Sequence, residues 1–195
     1  MNIKFLISLL FFSLLISSCS VLDYLLETPP PDEGEKLSQA IANFKAGSLF
    51  SIDYSLLKTE PKSFKNENIR VFGTILDEFK NEFILFTDPF EDNEYGFYRI
   101  KFDNPLPKQF DMPRPFKFIS RGSKISVFGK FVGLTDIRVT ELESIKSQPM
   151  NPQIDYSRLR RIPTFIAVLI YDHEDFQFKR PLWISSEFVD NSLER

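Results

Sequence analysis

IRVFGTIL (residues 69–76) and KISVFGKFV (residues 124–132) decide the fold, because both combine β-branched and aromatic residues with an internal glycine. The tripeptide Val-Phe-Gly recurs in them and ends at Gly73 in the first and at Gly129 in the second. Glycine weakens a strand unless the strand bends sharply there or another backbone approaches closely. Closing strands into a small barrel demands both. The repeat therefore predicts two strands of a closed β-barrel.

Three further stretches predict the remaining strands of this barrel. Phe83–Thr87 is short and apolar, and Phe97–Phe102 alternates large side chains with basic ones. Ile137–Ile145 contributes the last expected strand. The predicted order is three strands in a meander, a connection over residues 104–123, and then two more strands. This is the order of an OB-fold, which is a five-stranded barrel.

Four segments resemble the tRNA-anticodon-binding-like family and related OB-fold families of exported bacterial proteins. They are Arg70–Ile75, Tyr98–Phe102, Gly122–Lys130 and Thr140–Ile145. The resemblance covers about half of the chain and implies a five-stranded OB-fold-like barrel. Its motifs describe strand geometry more than chemistry, so it carries no implication about activity.

Elements outside the barrel make the expected fold class mainly β with an N-terminal helix (α+β). Apolar residues of Glu35–Ala46 recur at helical spacing, and Gly47 is placed to end this helix. A second helical or irregular stretch covers residues 49–57. Near the C-terminus, Phe165–Tyr171 predicts a buried strand, and Phe176–Ile184 predicts a further strand or wrapping segment. We expect both to form a C-terminal β extension of the barrel.

The N-terminus has the architecture of a signal peptide. Lys4 supplies a positive start, and Phe5–Ile16 is an apolar run, shorter than the roughly 20 residues that a membrane-spanning helix needs. Ile16–Cys19 resembles the lipobox of bacterial lipoprotein precursors. The resemblance implies cleavage after Ser18, a diacylglycerol thioether on Cys19 and acylation, for example by palmitate, of the new N-terminus. Two or three acyl chains hold a protein on a membrane, whereas one does so only marginally.

The expected domain organisation has four parts. Residues 1–18 form the signal peptide, and residues 19–34, which include three consecutive prolines, form a stiff lipid-anchored tether. Residues 35–150 form the helix and the OB-fold-like barrel, and residues 151–195 form a C-terminal extension that packs on the same domain. Lipidation would place the protein on the cell membrane or the outer membrane, facing the periplasm or the exterior. The alternative is an ordinary secretory leader that leaves Cys19 as a free thiol.

The composition fits an exported globular protein that is stabilised by packing. The net charge is -3, and the 22 phenylalanines supply large apolar area for a core. Cys19 is the only cysteine, so no disulfide can form within the chain. Charges of both signs are interspersed, and bulk electrostatics therefore indicates no particular partner.

His173 is the only histidine and lies in the acidic stretch Asp172–Asp175. A calcium loop needs spaced oxygen ligands with a turn glycine and a later glutamate, and a zinc site needs more nitrogen or sulfur ligands than this stretch offers. We therefore expect no metal and no cofactor other than the lipid on Cys19. An exported hydrolase stays a weaker alternative, with His173 as base and one of many serines as nucleophile. No Gly-x-Ser-x-Gly motif supports it.

Basic and aromatic residues cluster before the fourth predicted strand. OB-folds use such mixtures to bind single-stranded nucleic acid, but an acidic exported chain is directed away from cytoplasmic nucleic acid. We expect instead a non-catalytic module that binds an envelope protein or an extracellular ligand through this surface and the loops Asp88–Gly96 and Asn104–Gly122. The alternative is a structural accessory subunit of an envelope assembly. The expected surface residues are Arg114, Phe116, Lys117, Arg121 and Lys124.

Overall fold

The computed structural model describes residues 32–50, 52–79, 81–87, 96–104, 119–146, 160–175 and 177–194. Within these ranges the chain forms four helices and six strands, and none of these helices is long and apolar enough to cross a membrane. In chain order the elements are α1 (Glu33–Ala46), α2 (Tyr54–Thr59), β1 (Asn68–Phe79), β2 (Glu82–Thr87), β3 (Gly96–Lys101), β4 (Lys124–Asp136), α3 (Val139–Lys146), β5 (Arg161–Asp172), β6 (Trp183–Ile184) and α4 (Ser186–Leu193).

The strands form one sheet that closes on itself. β1 pairs antiparallel with β2 and β4, β2 pairs with β3, and β4 pairs with β5. A short parallel pairing of β3 with β5, in which Ile100 lies opposite Phe165, closes the ring of five strands. β6 is a sixth strand, antiparallel to β5. The predicted class is thereby confirmed: an α+β protein with an OB-fold-like barrel and a β extension.

The fifth barrel strand differs from the prediction. The segment predicted as a strand at Ile137–Ile145 contains helix α3, and β5 takes its place in the barrel. Glu141 explains the helix, because its Oε2 accepts a hydrogen bond of 2.6 Å from the backbone N–H of Arg138, as in a capping box. Phe165–Tyr171 is a strand as predicted, but it belongs to the barrel itself and does not merely cover it.

The C-terminal segment contains less strand and more helix than predicted. Within the described part of Phe176–Ile184, strand pairing is limited to Trp183–Ile184. Helix α4 follows directly and was not predicted. Its start is marked by Ser185, whose hydroxyl accepts a hydrogen bond from the backbone N–H of Phe188 at 3.3 Å.

The two repeated glycines are required by close backbone approach, as predicted. A Cβ on Gly73 would lie 2.2 Å from the carbonyl oxygen of Phe86 on β2. A Cβ on Gly129 would lie 2.6 Å from the carbonyl oxygen of Ile166 on β5, next to an irregularity in the β4–β5 register. Any side chain at either position would therefore separate two paired strands.

One apolar cluster fills the interior of the barrel, and all five barrel strands contribute to it. Helix α2 adds Tyr54 and Leu57 to this cluster, so the helix caps the interior. Burying each large apolar side chain is worth about 1.5–3 kcal/mol. Fully buried members of the cluster include Ile69, Phe83, Leu85, Ile100, Val127, Phe131, Phe165 and Ile170.

Candidate functional site

A cleft of about 420 Å³ opens on the outer surface of the barrel between helices α1 and α4. Strands β1, β4 and β5 contribute to it as well. Its polar lining consists of Asn66, Asn68, Lys130, Ser185, Glu187 and Asn191. Its apolar lining consists of Phe44, Ile166, Ala167, Val168 and Phe188.

Apolar contacts hold the two helices on this face of the sheet. Phe128 of β4 and Leu169 and Tyr171 of β5 are buried on the outer face of the barrel. Phe44 of α1 and Phe188 of α4 pack against this cluster, and their rings meet edge to face at 5.4 Å between centroids. The Phe44–Phe188 contact therefore joins the two helices that border the cleft.

Asp103, just after β3, fixes the start of helix α4. Its Oδ2 accepts hydrogen bonds from the hydroxyl groups of Ser185 (2.7 Å) and Ser186 (3.2 Å) and from the backbone N–H of Glu187 (3.1 Å). Burial by itself would raise the pKa of Asp103, but the hydrogen bonds from the Ser185 hydroxyl and from the backbone N–H groups of Glu187 and Asn104 lower it below the ordinary value of 3.8. An ionised carboxylate at a helix N-terminus also suits the helix dipole. The wall of the cleft that α4 forms thus depends on a charged Asp103.

The floor of the cleft is shaped by the close crossing of β4 and β5. Lys130 lies opposite Asn68 on β1 and opposite Ile166 on β5, so these three residues meet on adjoining strands. The preceding residue, Gly129, leaves no side chain between the strands. Ile166 is 42% exposed although it lies in a strand, and it offers an apolar surface next to its strand partner Lys130.

Five of the six polar side chains of the cleft have no partner within the described ranges, and the exception is Ser185, whose hydroxyl holds the start of α4. The carboxamides of Asn66, Asn68 and Asn191, the ammonium of Lys130 and the carboxylate of Glu187 make no hydrogen bond or ion pair with the part of the chain that the structure describes. Asn66 has a left-handed backbone (φ 71°) and is held by a hydrogen bond from its N–H to the carbonyl of Phe131, at 2.8 Å. The site therefore combines fixed backbone with hydrogen-bonding groups that are available to a ligand.

Two of the five predicted surface residues lie within the described ranges, and both lie away from this cleft. Arg121 and Lys124 are exposed near the start of β4, and neither lines the cleft. The backbone N–H of Arg121 bonds to Glu78 of β1; burial raises the pKa of Glu78, and this hydrogen bond opposes the effect only in part. The other predicted residues, Arg114, Phe116, Lys117 and the anchor Cys19, lie outside the described residues.

Sequence reasoning missed every residue of the cleft. The residues of the cleft come from separated parts of the chain, and asparagines at such scattered positions form no recognisable sequence motif. One local signal was present: Ser185 followed by Glu187 in the first turn of α4 is a typical helix start. It could have predicted the helix, but not that α4 borders a cleft.

His173 contacts a serine, as a hydrolase would require, but the geometry favours a structural role. Its Nδ1 lies 3.4 Å from Oγ of Ser126, and Nη2 of Arg70 lies at the same distance from that oxygen. The imidazole also stacks on the ring of Phe72, with 5.3 Å between centroids and 16° between planes. Ser126 is fully buried, and a nucleophile must be able to reach its substrate.

Helix α3 covers another part of the barrel surface, formed by β1, β2 and β3. Leu142 of α3 packs against Leu76, Ile84 and Phe97, which face outwards from β1, β2 and β3. OB-folds bind oligonucleotides and oligosaccharides on the face formed by strands 2 and 3. In this chain its own helix covers that face.

A buried ion pair fixes α3 in this position. Arg99 of β3 and Glu141 of α3 are 3% and 0% exposed, and Nη2 of the arginine lies 2.5 Å from Oε2 of the glutamate. Arg99 also donates hydrogen bonds to the Thr135 hydroxyl and, at 2.9 Å, to the carbonyl of Asp136. Several hydrogen bonds thus compensate the burial of the two charges.

No protein-family model matches this chain, and no curated protein matches it either.

Proposed function

We propose that this protein is a lipid-anchored, non-catalytic binding module of the bacterial cell envelope, and that the cleft between α1 and α4 is its ligand site. The anchoring part of the proposal rests on the lipobox-like sequence Ile16–Cys19 after an apolar leader. The binding part rests on the structure of the cleft. In this proposal a barrel that is held near a membrane presents a concave ligand site.

The observation that carries the proposal is the set of unused polar groups over an apolar floor. Ligand sites are typically apolar concavities of about 300–1,000 Å³ with a few polar groups that orient the ligand. The cleft has this size and mixture. It has no serine and histidine in contact, since Ser126 and His173 lie elsewhere on the barrel. Binding accounts for these features without a chemical step.

Photocrosslinking in cells tests the binding part. A benzoylphenylalanine placed at Asn191 lies in the cleft, and one placed at Val139, which is 72% exposed on α3, is the matched control. We expect a discrete adduct, identified by its mass, at position 191 and none at position 139. Equal labelling at both positions, or no adduct at position 191, would contradict the proposed site.

Fractionation of cells tests the anchor separately. Cys19→Ala removes the only thiol of the chain and should move the protein from the membrane fraction to the soluble fraction. Loss of labelling by a palmitate analogue should accompany the shift. If the variant still sedimented with membranes like the unchanged protein, the lipid anchor would be wrong, whatever the cleft binds.

A structural accessory role is the second candidate, and the exposed pair Leu49 and Phe50 favours it. These side chains are 38% and 48% exposed. Leu49 is fixed by two backbone hydrogen bonds to β1, one from its N–H to Asn68 and one from Arg70 N–H to its carbonyl. A permanent partner would cover such an apolar pair. If the protein has this role, Phe50→Ser should release a stoichiometric partner. If it is a binding module, Phe50→Ser should leave the photocrosslinked adduct at position 191 unchanged.

A hydrolase that uses His173 is the weaker alternative. The 3.4 Å contact with Ser126 is the observation in its favour. His173→Ala would abolish any such activity, and an unchanged phenotype of this variant would remove the proposed role.

A further inference from the structure

We propose that the cleft binds a short peptide with free ends, taking its carboxylate at Lys130, its ammonium at Glu187 and an apolar side chain on the floor formed by Ile166 and Val168. The inference deepens the proposed function, since it assumes that the cleft is the ligand site. It names the chemical class of the ligand.

The size of the cleft limits the ligand to a small molecule or a few residues. A volume of about 420 Å³ lies in the lower part of the range for small-ligand sites. A folded partner would need a surface of about 800 Å² on each side for a stable complex. The cleft is a concave site between two helices and does not offer such a surface.

The two charges of the cleft point to a zwitterion. Lys130 comes from β4 and Glu187 from the first turn of α4, and neither forms an ion pair within the described ranges of the chain. A purely anionic ligand would be attracted by Lys130 but repelled by Glu187. A purely cationic ligand would be attracted by Glu187 but repelled by Lys130. A ligand with one charge of each sign is complementary to both groups.

The carboxamides select for peptide groups. Asn66, Asn68 and Asn191 each present both a donor and an acceptor, which matches the N–H and C=O of a peptide bond. Asn68 is anchored in β1, and Asn66 has a fixed left-handed backbone, so the backbone that carries these two carboxamides is fixed before the ligand arrives. Such preorganisation lowers the entropy lost on binding.

The apolar lining fits an aliphatic side chain better than a sugar ring. Sugar sites commonly offer an open aromatic face, whereas Phe44 and Phe188 meet each other edge to face across the border of the cleft. Ile166, at 42% exposed, and the half-buried Val168 leave aliphatic surface open on the floor. Burying an aliphatic side chain against them is favourable at about 25 cal/mol per Å² of apolar area.

Retention of defined probes by the lipidated full-length protein in detergent micelles tests the inference. The probes are a randomised tripeptide library with leucine at the central position and free ends, its N-acetylated and C-amidated forms, and the neutral disaccharide chitobiose. We expect the library with free ends to be retained up to about fivefold better than either blocked form, because Lys130 and Glu187 are exposed and an ion pair with an exposed charge contributes no more than about that factor.

Variants assign the two ends of the peptide. Lys130→Met should abolish the preference for a free carboxylate but keep the preference for a free ammonium, and Glu187→Gln should do the reverse. Lys146→Met, at an exposed lysine on α3, is the matched control and should change neither preference.

Three results would overturn the inference. They are retention of chitobiose without retention of peptides, retention of none of the probes, and terminal preferences that survive in both cleft variants. None of these would alter the Asn191 crosslink or the membrane fractionation of the Cys19→Ala variant. Failure of the peptide inference is therefore distinguishable from failure of the proposed function.

Discussion

Replacing Gly73 by alanine tests whether the repeated glycines close the barrel. The new Cβ would lie 2.2 Å from the oxygen and 2.8 Å from the carbon of the Phe86 carbonyl, whereas ordinary contact begins at 3.4 Å. The obstacle is backbone and cannot rotate away. β2 pairs with β3 on its other side, so a displacement of β2 would disturb both pairings.

The expected cost follows from these distances. Overpacking costs about 1–3 kcal/mol, and alanine returns about 0.4–1 kcal/mol by restricting the unfolded chain. We expect Gly73→Ala to lower the free energy of unfolding by about 1–2 kcal/mol and Tm by about 2–8 °C. Gly129→Ala should cost less, because its closest contact is 2.6 Å. Gly47→Ala is the control, since its Cβ would meet its nearest neighbour at 3.5 Å and should change stability by about 0.5 kcal/mol or less.

Urea unfolding followed by tryptophan fluorescence measures these differences. Trp183 is the only tryptophan, and it is 4% exposed within the main apolar cluster, so its emission reports loss of the barrel. The expected order of stability is Gly47→Ala above Gly129→Ala above Gly73→Ala. If Gly73→Ala were as stable as Gly47→Ala, close strand approach would not be the reason for the glycine.

Three further predictions concern charged and polar groups. Folding lowers the pKa of Asp103, so its contribution to stability is full above the unfolded value of 3.8 and is lost as the pH falls through the lower folded value. Amide exchange in α4 should accelerate in that acidic range, and Asp103→Asn should abolish this pH dependence. Burial, together with the negative charge of Asp175, raises the pKa of Tyr171 to about 12. The free energy of unfolding is therefore full below the unfolded pKa of 10 and decreases as the pH rises towards 12. In urea titrations, Tyr171→Phe should make this decrease smaller. Glu141→Ala leaves the buried charge of Arg99 without its partner and should lower the free energy of unfolding in urea by about 3–5 kcal/mol. Glu143 is exposed on the same helix, and an equal effect of Glu143→Ala would refute the role of the ion pair.

The sequence predicts the barrel strands correctly where the local residue pattern favours a strand and the folded chain also places a strand there. The strands beginning near Ile69 and Lys124 are recognisable because each carries a glycine that only a close crossing explains. The fifth strand was misassigned because Ile137–Ile145 has the β-branched residues of a strand. The cap formed by Glu141, together with its ion pair to Arg99, favours helix instead. Tertiary contact decided between two locally acceptable structures.

The cleft could not be predicted, for a different physical reason. Asn66 and Asn68 precede or begin one strand, Lys130 lies in another, and Glu187 and Asn191 belong to a helix near the C-terminus. Each is an ordinary surface residue by itself. They come together in the cleft only through the pairing of β4 with β5 and the position of α4, neither of which has a local sequence signal.

The helices that cover the barrel are held by different forces, and this difference favours the cleft as the place for a ligand. Separating α3 from the barrel would break the buried ion pair between Arg99 and Glu141 and its two hydrogen bonds, which hold the face beneath α3 closed. Helix α4 has no fully buried residue, and its first turn is held by hydrogen bonds to Asp103. Elements with few buried contacts open at lower free energy than the core. The proposed ligand would touch both α4 and the floor of the cleft and would add apolar contact to α4, so we expect its binding to slow amide exchange in this helix.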